Sequence, residues 1–222
     1  MTASLIRRMV SEFLGTTFLV AAVIGSGIMA ERLSGGNVAL ALLANTIATG
    51  AVLVALILAF GSISAQFNPA VTLAAAVNKN LTWRDASCYV PAQCLGGICG
   101  AVVAHLMFGL PAITISQHAR SGSAQVFSEF VATFGLVWIV WGCSRLRSES
   151  VALAVGAYIT SAYWFTSSTS FANPAVTIAR SVSDTFSGIR PIDVPWFLVA
   201  QIAGALAATV LFQRLSQRTV TA

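Results

Sequence analysis

The sequence predicts an all-α membrane protein with six transmembrane helices and two re-entrant half-helices arranged as an inverted repeat. Three observations carry this prediction. First, 57% of the 222 residues are hydrophobic and only 9% are charged, against roughly 25% charged in a soluble domain. The chain lacks the polar groups to cover a water-facing surface, which argues against a soluble enzyme. Second, the apolar residues fall into runs close to the ~20-residue length of a bilayer-spanning helix. Third, one pentapeptide occurs twice, flanked each time by the same landmarks. The formal net charge of +5 comes from pairs of charges between apolar runs, with no basic stripe interleaved with aromatics. It therefore reads as a topology signal and not as a nucleic-acid surface. Cys88, Cys94, Cys99 and Cys143 lie in apolar segments without C-x-x-C spacing. Neither a disulfide framework nor a metal site is indicated, and buried packing is their expected role.

In chain order the first long apolar run is 10–30, behind Arg7 and Arg8. Its layout resembles a signal peptide, but cleavage would remove part of the repeat, so it is read as the first span. The run 38–60 is the second span, and 68–77 is too short to cross. The runs 87–108, 125–144 and 150–167 follow as spans three to five, then the short piece 173–183 and the sixth span 194–213. With both termini on one side, that side collects Arg7, Arg8, Lys79, Arg84, Arg145, Arg147, Arg214 and Arg218. The other side has Arg32, Arg120, Arg180 and Arg190. Eight positive residues against four place both termini in the cytoplasm.

The repeat is legible directly. Asn-Pro-Ala-Val-Thr stands at 68–72 and 173–177, an offset of 105. Upstream, Ser11-Glu12-Phe13 with Thr16 matches Ser128-Glu129-Phe130 with Thr133. Downstream, Ala92-Gln93-x-x-Gly96 matches Ala200-Gln201-x-x-Gly204. The halves are 1–118 and 119–222, each with three spans and one short segment. An odd number of crossings inverts the second copy, which puts a functional site at the midplane where the halves meet. Asn68 and Asn173 are N-cap residues, and Pro69 and Pro174 suit the first helical position, followed by Ala70 and Ala175. Each short segment is thus a half-helix dipping into the membrane, its non-helical lead-in tolerated because it lines a cavity. Two positive helix ends then face one central point and oppose cations. The two asparagine amides offer donors to a passing oxygen.

Twin Asn-Pro-Ala half-helices in a duplicated six-span chain resemble the major intrinsic protein family, the aquaporins and aquaglyceroporins, over essentially the whole length. The resemblance implies a single channel domain over 1–222, a homotetramer in the inner (plasma) membrane and passive transport without a cofactor. It also implies a pore signature at Asn68 and Asn173, with Glu12 and Glu129 bracing the non-helical backbone. Read alone, intramembrane acids are functional candidates such as proton relays. Their symmetric placement near backbone that must be satisfied favours the brace.

The chain departs from the water-channel pattern after the second signature, where family members mostly carry arginine and this sequence has Val176. A small apolar wall widens the expected outer constriction. Arg180 lies one turn further along the same face. It supplies a displaced filter charge, or else it snorkels outward or pairs with Asp184. Aligned on the family landmarks, the second-span filter position is Thr49, or Ala48 by counting back from Asn68. The fifth-span position is Tyr163, or Ser161 if the loop is short, and Ser170 supplies the last wall. The stretch 163–172, the missing arginine and Ser181-x-x-Asp184-Thr185-Phe186 are similar to the bacterial arsenic-associated aquaglyceroporins of the AqpS type. That likeness implies passage of arsenite and methylated trivalent arsenicals beside glycerol-like polyols and water. Uncharged arsenous acid carries hydroxyls that Thr, Tyr and Asn can meet.

A general water and glycerol facilitator differs from this reading only in substrate. An ion-coupled secondary transporter would need ionisable groups beside the site, and the spans offer Glu12, Glu129 and His105, the last expected near a span end in a packing role. An enzyme has least support, with two histidines, no paired carboxylates in one segment and no Gly-rich phosphate loop.

Overall fold

The computed structural model describes residues 3–216. Among these there is no strand. Eight α-helices follow in order: α1 Leu5–Leu33, α2 Val38–Phe60, α3 Pro69–Val77, α4 Trp83–Met107, α5 Ser123–Leu146, α6 Val151–Phe165, α7 Pro174–Arg180 and α8 Val194–Ser216. Local chemistry sets several starts. The side chains of Ser4, Asn37 and Thr82 accept from Arg7 N, Leu40 N and Asp85 N, capping α1, α2 and α4, which satisfies donors that have no intrahelical partner. Helix α1 begins five residues before the expected run, so Arg7 and Arg8 lie within it. Arg8 pairs with Asp85 at 2.9 Å across the start of α4.

Among the described residues, five helical segments are long and apolar enough to cross a membrane, the last of them counted from Pro191. The sixth, α6, has 15 residues where the sequence predicts 150–167. At 1.5 Å per residue it spans about 22 Å, short of a ~30 Å hydrocarbon core. The 3₁₀ turn Ser148–Ser150 lengthens it at one end, and at the other the chain leaves the helix to enter the membrane again as a loop. The second half-helix is likewise shorter than the expected 173–183. It closes at Arg180 because residues 181–190 turn back over its end, with Ile189 N donating to the Arg180 carbonyl.

The halves correspond helix for helix, α1 to α5, α2 to α6, α3 to α7 and α4 to α8, and they exchange partners. Helix α1 packs on α4 and α5 on α8, while half-helix α3 lies against α8 and α7 against α4. Glycines at equivalent places permit the close crossings. A Cβ on Gly96 would collide with the Phe13 carbonyl oxygen, and one on Gly204 with that of Phe130. At the α2–α6 crossing, a Cβ on Gly156 would come 2.8 Å from the Gly50 carbonyl oxygen. Outward-facing Phe18, Ile47, Leu58, Leu95, Leu153 and Val199 are exposed, as suits a lipid-covered exterior.

The four cysteines are half-buried, not buried, and none forms a disulfide. Against lipid, an outward position costs an apolar side chain nothing, so burial is not enforced as it would be in water.

Candidate functional site

The site is built on two loops that lead into the half-helices. Asn68 Oδ1 accepts from Ala70 N at 2.9 Å, and Asn173 Oδ1 accepts from Ala175 N at 3.0 Å. Each amide nitrogen then reaches the other half: Asn68 Nδ2 donates to the Ala172 carbonyl at 2.8 Å, and Asn173 Nδ2 to the Phe67 carbonyl at 2.7 Å. An amide carries two N–H donors, so each asparagine keeps one beyond this crossed pair. Phe67 and Ala172, the residues before the asparagines, adopt φ of 51° and 48°. This left-handed backbone costs on the order of 1–3 kcal/mol per residue unless its surroundings hold it.

The surroundings are two buried carboxylates. Glu12 accepts from Gln66 N at 2.9 Å, Phe67 N at 2.6 Å, the Ser64 hydroxyl and Gln93 Nε2. Glu129 accepts from Phe171 N at 2.8 Å, Ala172 N at 2.9 Å and Gln201 Nε2 at 2.6 Å. Loop N–H groups with no secondary-structure partner are satisfied this way, as a buried backbone requires. Gln93 Nε2 also donates to Thr72 Oγ1, and Gln201 Nε2 to Thr177 Oγ1. Both acids are thus occupied as braces. His105 is buried near the end of α4, with Nδ1 on the Pro111 carbonyl and Nε2 on Ser183 Oγ. The three ionisable groups a coupled transporter would use all have structural partners.

A cavity of about 300 Å³ passes the crossed asparagines. Toward the end where α1 starts and α8 finishes it is lined by Val71, Ala75, Asn80, Val140, Trp141 and Ser144. Toward the opposite end it is lined by Thr49, Tyr163, Ser170, Phe171, Val176 and Arg180. Thr49 and Tyr163 share a 3.3 Å hydrogen bond between hydroxyls. Ala48 does not line the cavity, and Ser161 is exposed and bonds back to the Tyr158 carbonyl. Neither alternative position is brought to the site.

Arg180 faces the cavity and is 2% exposed. It does not pair with Asp184, whose carboxylate accepts from Gln117 N, and it does not snorkel outward. Its Nε donates to the Ser187 carbonyl, and its guanidinium lies 3.4 Å from the centroid of the Phe171 ring. Arg180 Nη1 and Ser170 Oγ are buried without a protein partner among the described residues.

Sequence reasoning missed six contributing residues. Gln93 and Gln201 served only as alignment landmarks, although their recurrence beside the acids was a usable signal. The left-handed backbone at Phe67 and Ala172 had none, since neither residue type favours it. Phe171 and Arg120 gave none either. Arg120 sits in the connection between halves, 7% exposed, and its guanidinium carbon is 4.9 Å from the Phe171 centroid. Burial pushes the Arg120 guanidinium down to about 10, which leaves it charged at neutral pH.

The family model of the major intrinsic proteins matches this chain over residues 1–150 and again over 125–222. The chain belongs to the major intrinsic protein family. That is a family of channels and not of enzymes. The chain is 55% identical over 214 residues to Aquaglyceroporin AqpS of Rhizobium meliloti (strain 1021), covering 96% of this chain and 91% of the relative. It is 32% identical to Aquaporin NIP1-1 of Oryza sativa subsp. japonica, over 91% of this chain and 72% of that one. Among solved structures, the aquaglyceroporin from Plasmodium falciparum superposes with a TM-score of 0.69 at 20% identity, covering 98% of each chain. At that identity the match speaks for the fold alone, and it is the six-span, two-half-helix architecture of the major intrinsic proteins.

Proposed function

We propose that this chain is a passive aquaglyceroporin-type channel for small uncharged solutes, passing glycerol-like polyols, arsenite and methylated trivalent arsenicals as well as water. The observation that carries the reading is the polar end of the cavity. Thr49, Tyr163, Ser170 and Arg180 present hydroxyl and guanidinium groups around an opening where Val176 places no charged side chain. Such a wall accepts a solute with several hydroxyls and one apolar face. The 55% identity to a protein named Aquaglyceroporin AqpS supports the aquaglyceroporin part of the reading. The remaining amide hydrogens of Asn68 and Asn173 serve the solute at the midplane, and the abutting helix starts oppose cations.

In this reading residues 1–222 form one channel domain, dividing at 118/119 into inverted halves. The chain crosses the plasma membrane with both termini in the cytoplasm, and the unit is a homotetramer with a pore in each protomer. Stopped-flow permeability of proteoliposomes to water, glycerol and arsenous acid, measured side by side, tests it. Glycerol and arsenous acid fluxes well above those of protein-free liposomes are expected. Water flux alone would reduce the reading to a water channel.

A further inference from the structure

Arg120 belongs to the connection between the halves and does not line the cavity, yet it is among the most elaborately held cations in the molecule. Its Nε donates to the Gly188 carbonyl at 2.7 Å, and its Nη1 to the Ser168 carbonyl at 3.1 Å and Thr169 Oγ1 at 3.4 Å. Its own backbone N–H donates to Asp193 Oδ2 at 2.8 Å. It therefore joins the loop that leads into α7 to the loop that follows it. Arg180 donates to the carbonyl of Ser187, the residue next to the one Arg120 holds. Phe171 contacts both guanidiniums, at 3.4 Å from Arg180 and 4.9 Å from Arg120. A guanidinium over an aromatic face is attracted by the ring quadrupole, more strongly where water is excluded. The ring and the paired carbonyls thus couple a residue outside the lumen to Arg180 inside it.

We infer that Arg120 is a specificity-determining positioning residue, which sets the width and donor geometry of the pore mouth by fixing Phe171 and, through it, the lumenal guanidinium of Arg180. This inference rests on the channel reading above. The planar fork of arginine suits the task, since it can satisfy carbonyls on two segments while presenting a face to the ring. Without it, the 166–172 loop and the 187–190 loop lose their shared donor. Phe171 relaxes toward the vacated side and draws Arg180 away from the lumen. The mouth widens, and it discriminates less between polyols of different length.

The test uses full-length protein in liposomes, with permeability to water, glycerol and the four-carbon polyol erythritol measured on the same preparation. The erythritol-to-glycerol ratio does not depend on how many channels are active, so a merely structural role for Arg120 would leave it unchanged. In Arg120→Gln the ratio should rise at least twofold, with water permeability per assembled protein within twofold of the parent. Arg120→Lys, which keeps the charge but loses the fork, should fall between. Phe171→Leu should also raise the ratio at least twofold, and the double variant should not exceed the larger single effect, because both act through one contact. A rise below twofold in Arg120→Gln, or a double-variant effect equal to the product of the singles, overturns the inference. Should Arg120→Gln fail to assemble, an unchanged ratio in both Arg120→Lys and Phe171→Leu overturns it. A parent protein that passes no glycerol would instead overturn the channel reading.

Discussion

The two halves agree at the midplane and diverge toward the ends, and the place where agreement stops marks where solute chemistry begins. With the 105-residue offset, Asn68 and Asn173 share φ of −154° and nearly the same ψ, 114° and 112°. Phe67 and Ala172, Thr72 and Thr177, and the valines Val71 and Val176 also coincide. One step outward the correspondence fails. Gln66 accepts a hydrogen bond from Thr72 Oγ1, whereas its counterpart Phe171 carries two guanidiniums. Ser64 donates to Glu12, whereas its counterpart Thr169 accepts from Arg120. Ala75 and Arg180 occupy equivalent positions, both on the cavity wall. The repeated frame fixes the centre of the pore by backbone geometry. Unmatched side chains at one end give it a polar, charged mouth, while the other end stays largely apolar.

Five tests break or sharpen this comparison. The largest effect should follow Glu12→Ala or Glu129→Ala. Each leaves at least two loop N–H groups buried without an acceptor, at about 1–3 kcal/mol per group. Loss of assembled protein is expected in both, read by size-exclusion chromatography, and recovery of normal yield from either would remove the brace from the frame. Next, Asn68→Asp and Asn173→Asp should each lower neutral-solute flux about tenfold or more. A carboxylate offers no N–H to the opposite carbonyl or to the solute. Equal losses at the two positions would confirm that the midplane is symmetric in function as in geometry.

Val176→Arg tests the divergent mouth. A long cation placed close to Arg180 occupies space that polyols and arsenicals need, so glycerol and arsenous acid flux should fall several-fold more than water flux. A well-assembled variant with full glycerol permeability would show that Val176 does not set the opening. Arg180→Ala removes one of the divergences, with alanine then at both equivalent positions. Glycerol flux should then change about twofold or less while erythritol gains relative to glycerol, and an unaltered ratio would remove Arg180 from the filter. The smallest effect, none at all, is expected from collapsing proton and sodium gradients. A fall in initial solute flux on collapse would indicate coupling that the occupied Glu12, Glu129 and His105 do not provide.

Much of the frame could be read in the chain because it depends on local and periodic signals. Run length and apolarity place the spans to within five residues at each end, α6 included. The end of α6 is set by where the returning loop must enter and not by apolarity, since Thr166 and Ser167 follow without a composition break strong enough to predict it. The caps at Asn68 and Asn173 were legible because an asparagine before a proline satisfies helix-start donors wherever it occurs. The acids were legible because a carboxylate placed alike in both halves of an apolar chain needs buried donors. The filter positions Thr49 and Tyr163 remained open to one or two residues, since a short loop shifts any count.

By itself, then, the sequence determined the membrane solvent, the duplicated order of spans and half-helices, and the chemical identity of the midplane residues. Each of these follows from composition, repetition or a contact within a few residues along the chain. Tertiary structure alone decided that each asparagine bonds the opposite half, that Arg180 turns into the cavity and away from Asp184, and that Arg120 reaches from the connecting segment to two separate loops. The asparagine and Arg120 bonds join residues from 48 to 106 positions apart, and Arg180 reaches the Ser187 carbonyl through the turn that follows its helix. These choices are made by which carbonyls the folded loops leave unsatisfied, and no local pattern in the chain encodes that.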